Sequence, residues 1–322
     1  MTGLILIISI STLFFGYSSN LIGKKLMLID TPDNLKIHSI PIPITGGLIL
    51  FTSLLISTLF QLNLAEKNFF VSISYILCFF LVGLVDDKIN LNPYIRIFFV
   101  LLISLFFIFN NDFFVIDKIY FGVLNSEFYF GKIKIFITLL CILLLYVAMN
   151  MADGINGLII FLSICSLILL KFIILKVNLN YIDLSILTTL IILLFFNLKN
   201  KLFLGNSGTS LLSGYFIFST IEPNFYNKID VFEIISIFMI IGIDMVRLIF
   251  LRISKKKNPF IRDQKHFHYI LLKKFNLVKA NLIYMLLSFM PLIFSSLFKI
   301  SVLYFLIISI FVYVFVLIKI DN

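Results

Sequence analysis

Eleven apolar runs, each close to the length that crosses a hydrocarbon layer, follow one another along the 322 residues and leave only short polar stretches between them. A helix rises about 1.5 Å per residue, so roughly 17 to 25 apolar residues cross a core of about 30 Å. The runs lie at about 3–20, 46–62, 69–85, 95–110, 133–149, 157–175, 183–197, 208–222, 231–250, 281–297 and 300–318. With 61% hydrophobic residues and only 13% charged, the chain has no polar coat for a water-soluble domain of this length. The expectation is an all-α polytopic membrane protein of about eleven transmembrane helices, one domain over residues 1–322. Met1 to Asn20 has no basic segment ahead of its apolar run and leads straight into Lys24 and Lys25, so it reads as an uncleaved first span.

Five short polar islands, each carrying acids, amides, histidines or glycines, interrupt the apolar runs: Asp30–Gly47, Gly83–Arg96, Asn150–Leu158, Phe196–Ser210 and Arg252–Leu271. Counting spans puts all five on one face. Lysines and arginines give an independent orientation, because they accumulate in short cytoplasmic loops. Seventeen fall on the island side and eight on the other, with Arg247 inside a span. The islands are therefore expected at the cytoplasmic face of the membrane, with the N-terminus outside and the C-terminus inside. The net charge of +10 is then a topology and lipid-headgroup signal, and no nucleic-acid partner is implied. On the opposite face Asn111 to Lys132 alternates aromatic and polar residues around Leu124-Asn125-Ser126, which predicts a small β-hairpin. Cys78, Cys141 and Cys165 sit in apolar runs without metal spacing and are expected to be buried packing residues.

The chemistry concentrates in the islands. Asp86 and Asp87 are adjacent acids at the end of a span, and two such carboxylates repel unless a cation or a basic partner lies near. Arg96 follows in the same island. Asn150, Asp153 and Asn156 lie in Asn150-x-x-Asp153-Gly154-x-Asn156-Gly157, and Asn206 lies between Gly205 and Gly208. These are oxygen donors of the kind Mg²⁺ uses beside substrate phosphates, with glycines that let backbone N–H groups approach an anion. Arg262, His266 and His268 form a cationic cluster suited to a diphosphate, whereas Lys255 to Lys257 are explained by topology alone. All three histidines of the chain, His38 included, fall in islands.

In these motifs the chain resembles the polyprenyl-phosphate N-acetylhexosamine-1-phosphate transferases, glycosyltransferase family 4, and most of all their bacterial GlcNAc-1-phosphate branch. DTPDNLKIHSIPIPITGG is similar to the family's first cytoplasmic loop, GLVDDKINLNPYIR to its twin-aspartate motif and NMADGINGL to N-x-x-D-G-x-D-G-L. FLGNSGTS is similar to F-x-G-D-x-G-S, and PFIRDQKHFHYIL to D-x-x-H-x-H-H. The resemblance implies transfer of a sugar 1-phosphate from a UDP-N-acetylhexosamine to undecaprenyl phosphate, with release of UMP and with Mg²⁺ or Mn²⁺ as cofactor. It implies catalytic roles for Asp86, Asp87, Asp153, His266 and His268. Substrate contacts are implied at Lys36, His38, Arg96, Asn156, Arg262 and Asp263, and metal ligation at Asn150, Asp153 and Asn206. Homodimerisation is known in the peptidoglycan branch and is left open here.

Three positions depart from the pattern. Asn206 stands where the family has its principal metal-ligating Asp, Asn156 where it has the second Asp of D-G-x-D-G, and Tyr269 where it has the last histidine. A degenerate relative that binds polyprenyl phosphate or UDP-sugar without efficient turnover is the alternative they raise. A transporter would need ionisable groups near mid-membrane, and only Asp244 and Arg247 approach that, at a spacing that pairs them with each other.

Overall fold

The computed structural model describes residues 1–32, 38–61, 67–260 and 263–321. Among them are thirteen α-helices and two small antiparallel sheets. The first two helices, α1 (Thr2–Tyr17) and α2 (Ser19–Leu26), meet at a bend of 65°. Strands β1 (Ile29–Asp30) and β2 (Ile42–Pro43) pair, with Ile29 opposite Pro43, and lead into α3 (Gly46–Gln61). Next come α4 (Lys67–Ile89) and α5 (Pro93–Asn110), the latter started by Asn92, whose side chain accepts from the Tyr94 N–H, and by Pro93 in the first turn. The expected hairpin forms from β3 (Lys118–Phe121) and β4 (Ser126–Tyr129), with Lys118 opposite Tyr129.

The second half continues with α6 (Lys134–Ala152), then α7 (Leu158–Leu169), which runs on into a π-helical turn at Leu170–Ile174. Asn180 and Asp183 close a reciprocal capping box on α8 (Tyr181–Leu198). The remaining helices are α9 (Gly205–Tyr226), α10 (Val231–Ser254), α11 (Phe267–Lys274), α12 (Leu277–Phe298) and α13 (Val302–Asp321).

Each of the eleven expected spans holds a helix, but length and composition alone qualify seven as crossings, or eight if the bent α1–α2 pair is one span. The shortfall has local causes. The α3 helix has only 16 residues, α7 with its π turn reaches only Leu158–Ile174, and α9 begins with the polar run GNSGTS. Polarity in α9 is tolerated because protein covers it, with every residue from Ser207 to Ile221 buried.

Lipid tails are as apolar as leucine, so helices associate here through close packing more than through hydrophobic expulsion. Small residues set that packing. Gly83 of α4 lies against the Asn206 backbone, Gly47 of α3 against Ser207 and Gly208, and a Cβ at Gly214 would meet Phe79 at 3.1 Å. An aromatic cluster of Tyr75, Phe79, Phe107, Phe114, Tyr146 and Phe218 supports the hairpin end. The cysteines are free, but Cys141 is exposed on the outside of α6 and Cys78 and Cys165 are half-buried, so the expectation of burial fails. A small apolar side chain is as well accommodated facing lipid as facing core.

Candidate active site

The described parts of all five islands are joined by direct contacts. Phe203 donates its N–H to Pro43 O at 2.8 Å, and Gly46 and Gly47 donate to the carbonyls of Phe203 and Leu204, which sews the first island to the fourth. The third island binds the fourth through Gly157 N–H to Asn197 Oδ1 at 2.6 Å and Asn156 Nδ2 to Asn200 Oδ1 at 2.5 Å. Tyr94 of the second island meets Phe260 of the fifth edge-on, with ring centroids 5.4 Å apart.

The twin aspartates divide their work. Asp87 accepts from Asn206 N–H at 2.7 Å and from Ser207 N–H at 2.9 Å, so its carboxylate caps the first turn of α9 from another helix. Such N–H groups have no partner within their own helix and favour a negative charge. Gly205 makes the fit possible. Its φ is +77°, and a Cβ there would stand 2.8 Å from Asp87 Oδ2. Asp86 is 3% exposed, pairs with Arg96 Nη1 at 2.5 Å and accepts from Leu91 N–H at 2.8 Å. The basic partner expected beside the acids is thus Arg96, and Arg96 is engaged by protein instead of standing open as a phosphate contact.

Asn150 Nδ2 donates to Asn206 Oδ1 at 3.2 Å and to Thr209 Oγ1 at 3.4 Å. This brings together two of the three expected metal ligands. The third, Asp153, follows Asn150 by one turn at the exposed end of α6. The amide oxygens of Asn150 and Asn206 and the carboxylate of Asp153 are donors of the kind a hard divalent cation takes. The donor set therefore fits such a cation, with one charge fewer than an aspartate at 206 would give. Asn156, expected to meet substrate, donates its side-chain amide to Asn200 and accepts with its backbone carbonyl from Asn281 Nδ2 at 3.0 Å, so in this arrangement it braces the loop.

His38 also braces its own loop, with Nε2 2.9 Å from Asp30 Oδ2 and Nδ1 2.8 Å from Ile40 O. Lys36 and Arg262 lie outside the described residues. Asp263 is held by Arg252 Nη2 at 3.1 Å and by Lys265 N–H at 3.1 Å. Partial burial opposes its ionisation, but those hydrogen bonds outweigh it and keep the carboxyl below the usual carboxylate range. Next to it a cavity of about 260 Å³ is lined by Arg252, Lys255, Lys257 and Lys265 against that single acid, a setting for an anion.

His266 and His268 stack at 10° with centroids 5.3 Å apart. His266 Nδ1 lies 3.0 Å from Asp244 Oδ2. His268 Nε2 is buried without a partner and packs on Gly154, where any Cβ would collide with it. Burial first, and then the neighbouring His266, push the His268 imidazole from the ordinary 6.5 down to about 3, so this ring is neutral near neutral pH. It packs as a neutral ring and brings no positive charge to a diphosphate.

Sequence reading missed several contributors. Asn197, Asn200 and Thr209 hold the islands together, and Arg252 fixes Asp263. Asp244, read as an ion-pair partner of Arg247, does pair with it at 2.7 Å and also reaches the histidine loop. Asp244, His266 and His268 offer one oxygen and two ring nitrogens within 4.8 Å of one another, the one such His, Cys or acid group among the described residues.

Comparison with known proteins agrees with the motifs. The sequence profile of glycosyl transferase family 4 matches residues 69–224, which span the second, third and fourth islands. The undecaprenyl-phosphate alpha-N-acetylglucosaminyl 1-phosphate transferase of Thermotoga maritima is 27% identical over 277 residues, covering 83% of this chain and 81% of its own. The protein of the same name from Escherichia coli is 24% identical over 289 residues, 84% of this chain and 76% of its own. A probable undecaprenyl-phosphate N-acetylglucosaminyl 1-phosphate transferase of Bacillus subtilis is 26% identical over 261 residues, with 78% and 71% covered.

Proposed function

We propose that this chain, which belongs to glycosyl transferase family 4 and is a glycosyl-1-phosphate transferase, moves N-acetylglucosamine 1-phosphate from UDP-GlcNAc to undecaprenyl phosphate and releases UMP. The observation that carries the reading is the joining of all five polar islands around Asp86, Asp87, Asn150, Asn206 and His266. In the proposed reaction an oxygen of the lipid phosphate attacks the β-phosphorus of the donor. The bond from that phosphorus to the bridging oxygen breaks, and UMP leaves with the electron pair. The product is a polyprenyl diphosphate sugar of the kind that starts a cell-envelope glycan.

The nucleophile is a phosphate monoester with a second pKa of about 6, so it is largely dianionic at neutral pH and needs little base assistance. Catalysis then consists mainly of bringing two anions into line and screening them. Asp86, fixed by Arg96 and Leu91 N–H, is assigned to orient the lipid phosphate. Asp87 holds the start of α9 so that Asn206 meets Asn150. Asn150, Asp153 and Asn206 would hold Mg²⁺ or Mn²⁺, which when bound supplies positive charge against the donor diphosphate. His266 and the cations around Arg252 receive the remaining phosphate charge, and Lys36 and Arg262 keep the substrate-facing assignments that the resemblance implies.

The lysine and arginine distribution supports eleven crossings with this site at the cytoplasmic face. One observation favours a second reading. The Asn150–Asn206 amide pair replaces a charged ligand by a neutral one, as expected of a relative that binds substrate and turns over poorly. The test is UMP release by the purified protein. Release that requires both UDP-GlcNAc and undecaprenyl phosphate supports the transferase, and binding of either without release supports the alternative.

A further inference from the structure

We propose that Asp244 is a positioning residue of the transferase: from within α10 it holds His266 as the Nδ1–H tautomer, with Nε2 turned to the reacting diphosphate. The inference rests on the reading above that His266 meets that diphosphate.

Asp244 is 2% exposed, and its carboxylate is crowded with donors. Arg247 Nη2 lies at 2.7 Å and Tyr313 OH at 3.0 Å, the Phe267 N–H at 3.2 Å from each oxygen, and His266 Nδ1 at 3.0 Å. A carboxylate paired with a guanidinium can only accept. The proton between Asp244 and His266 therefore sits on Nδ1, and the tautomer follows from the chemistry of the partner.

Neutralising a buried acid would need no more than the Arg247 pair inside the same helix. The contacts go further and bracket one residue. Arg247 Nη2 also donates to Lys265 O at 2.7 Å, while Asp244 accepts the Phe267 N–H, so the pair grips the backbone on both sides of His266 and the ring itself. His268 covers a face of that ring and rests in turn on Gly154, the neighbour of Asp153. With Nδ1 taken and a face covered, Nε2 is the ring atom left to meet a ligand. Tyr313 ties the clamp to α13.

The same three side chains could be read as a site for a borderline metal such as Zn²⁺. The guanidinium already on the Asp244 carboxylate argues against it, because a second cation there would meet Arg247 at close range.

Two measurements test the clamp. With histidine nitrogens labelled by ¹⁵N and His266 assigned from its loss in His266→Ala, the parent protein in detergent should show a protonated Nδ1 and an unprotonated Nε2 at His266. Asp244→Asn should shift it toward the other tautomer. Transfer assays follow. Asp244→Asn should lower kcat by about 10²-fold or more with KM for UDP-GlcNAc little changed. In a His266→Ala background the same substitution should cost nothing further. An Nε2–H tautomer in the active parent, an equal loss in the His266→Ala background, or one zinc per chain that disappears in Asp244→Asn would each overturn the proposal. The tautomer is read without turnover, so it still tests the clamp if Asp244→Asn fails to fold. A parent that transfers nothing would instead sink the functional reading itself.

Discussion

Single atoms decide several positions in this protein. Gly154 is one, since its missing Cβ is what leaves room for His268 Nε2. Gly154→Ala should destabilise the protein by about 1–3 kcal/mol, the usual cost of forcing a methyl into a packed site. His268→Ala should relieve most of that cost, and thermal melting of both single variants and the double variant in detergent reads the coupling. Asp87→Ala should cost about 1–2 kcal/mol in the same assay through loss of the α9 cap, with activity falling because Asn206 is no longer held. At Asn206 the expectation has the opposite sign for function. Asn206→Asp restores a charge to the oxygen-donor set, so half-maximal activity should move to lower Mg²⁺ concentration in a metal titration; an unchanged titration would remove residue 206 from the ligand set.

At the scale of elements, His268 on α11 gives a pH dependence. The His268 pKa is depressed in the folded protein, from the ordinary 6.5 to about 3. The unfolded chain therefore takes up this proton first as pH falls. Stability from His268 is fully present above about 6.5 and is lost between there and about 3. The melting temperature should drop on acidification through that window, and His268→Gln should drop less.

Much of this architecture is legible in residue order alone. Apolar runs placed a helix at each of the eleven positions, the aromatic-polar alternation after Asn111 gave the hairpin, and the islands held the residues that come together. What escaped reading depends on neighbours distant in sequence. That Asp87 caps a helix beginning 118 residues later, at Gly205, cannot be seen in a pair of adjacent acids. That Asn156 braces Asn200 depends on how the start of α7 lies beside the end of α8. The outward face of Cys141 escaped because an apolar run does not say which of its sides meets lipid.

For the whole molecule, the charge distribution and the span count make one joint statement about orientation. The hairpin at Asn125 and the loop at Lys257 should lie on opposite sides of the membrane. A cysteine at Asn125 in intact cells should react with a membrane-impermeant maleimide, and one at Lys257 only after permeabilisation. The reverse pattern would turn the site to the outside and exclude a UDP-sugar donor drawn from the cytoplasm. Within that frame the membrane bundle acts as a scaffold that delivers five helix ends to one place, with the buried polar α9 at its centre.

The most direct test of the central claim follows the phosphorus. Membranes containing the protein are supplied with undecaprenyl phosphate, Mg²⁺ and UDP-GlcNAc radiolabelled in either its β- or its α-phosphate. Label from the β-phosphate should enter the organic-extractable lipid while label from the α-phosphate stays in water as UMP. Retention of both labels in water, with the folded protein present, would contradict a sugar-1-phosphate transferase.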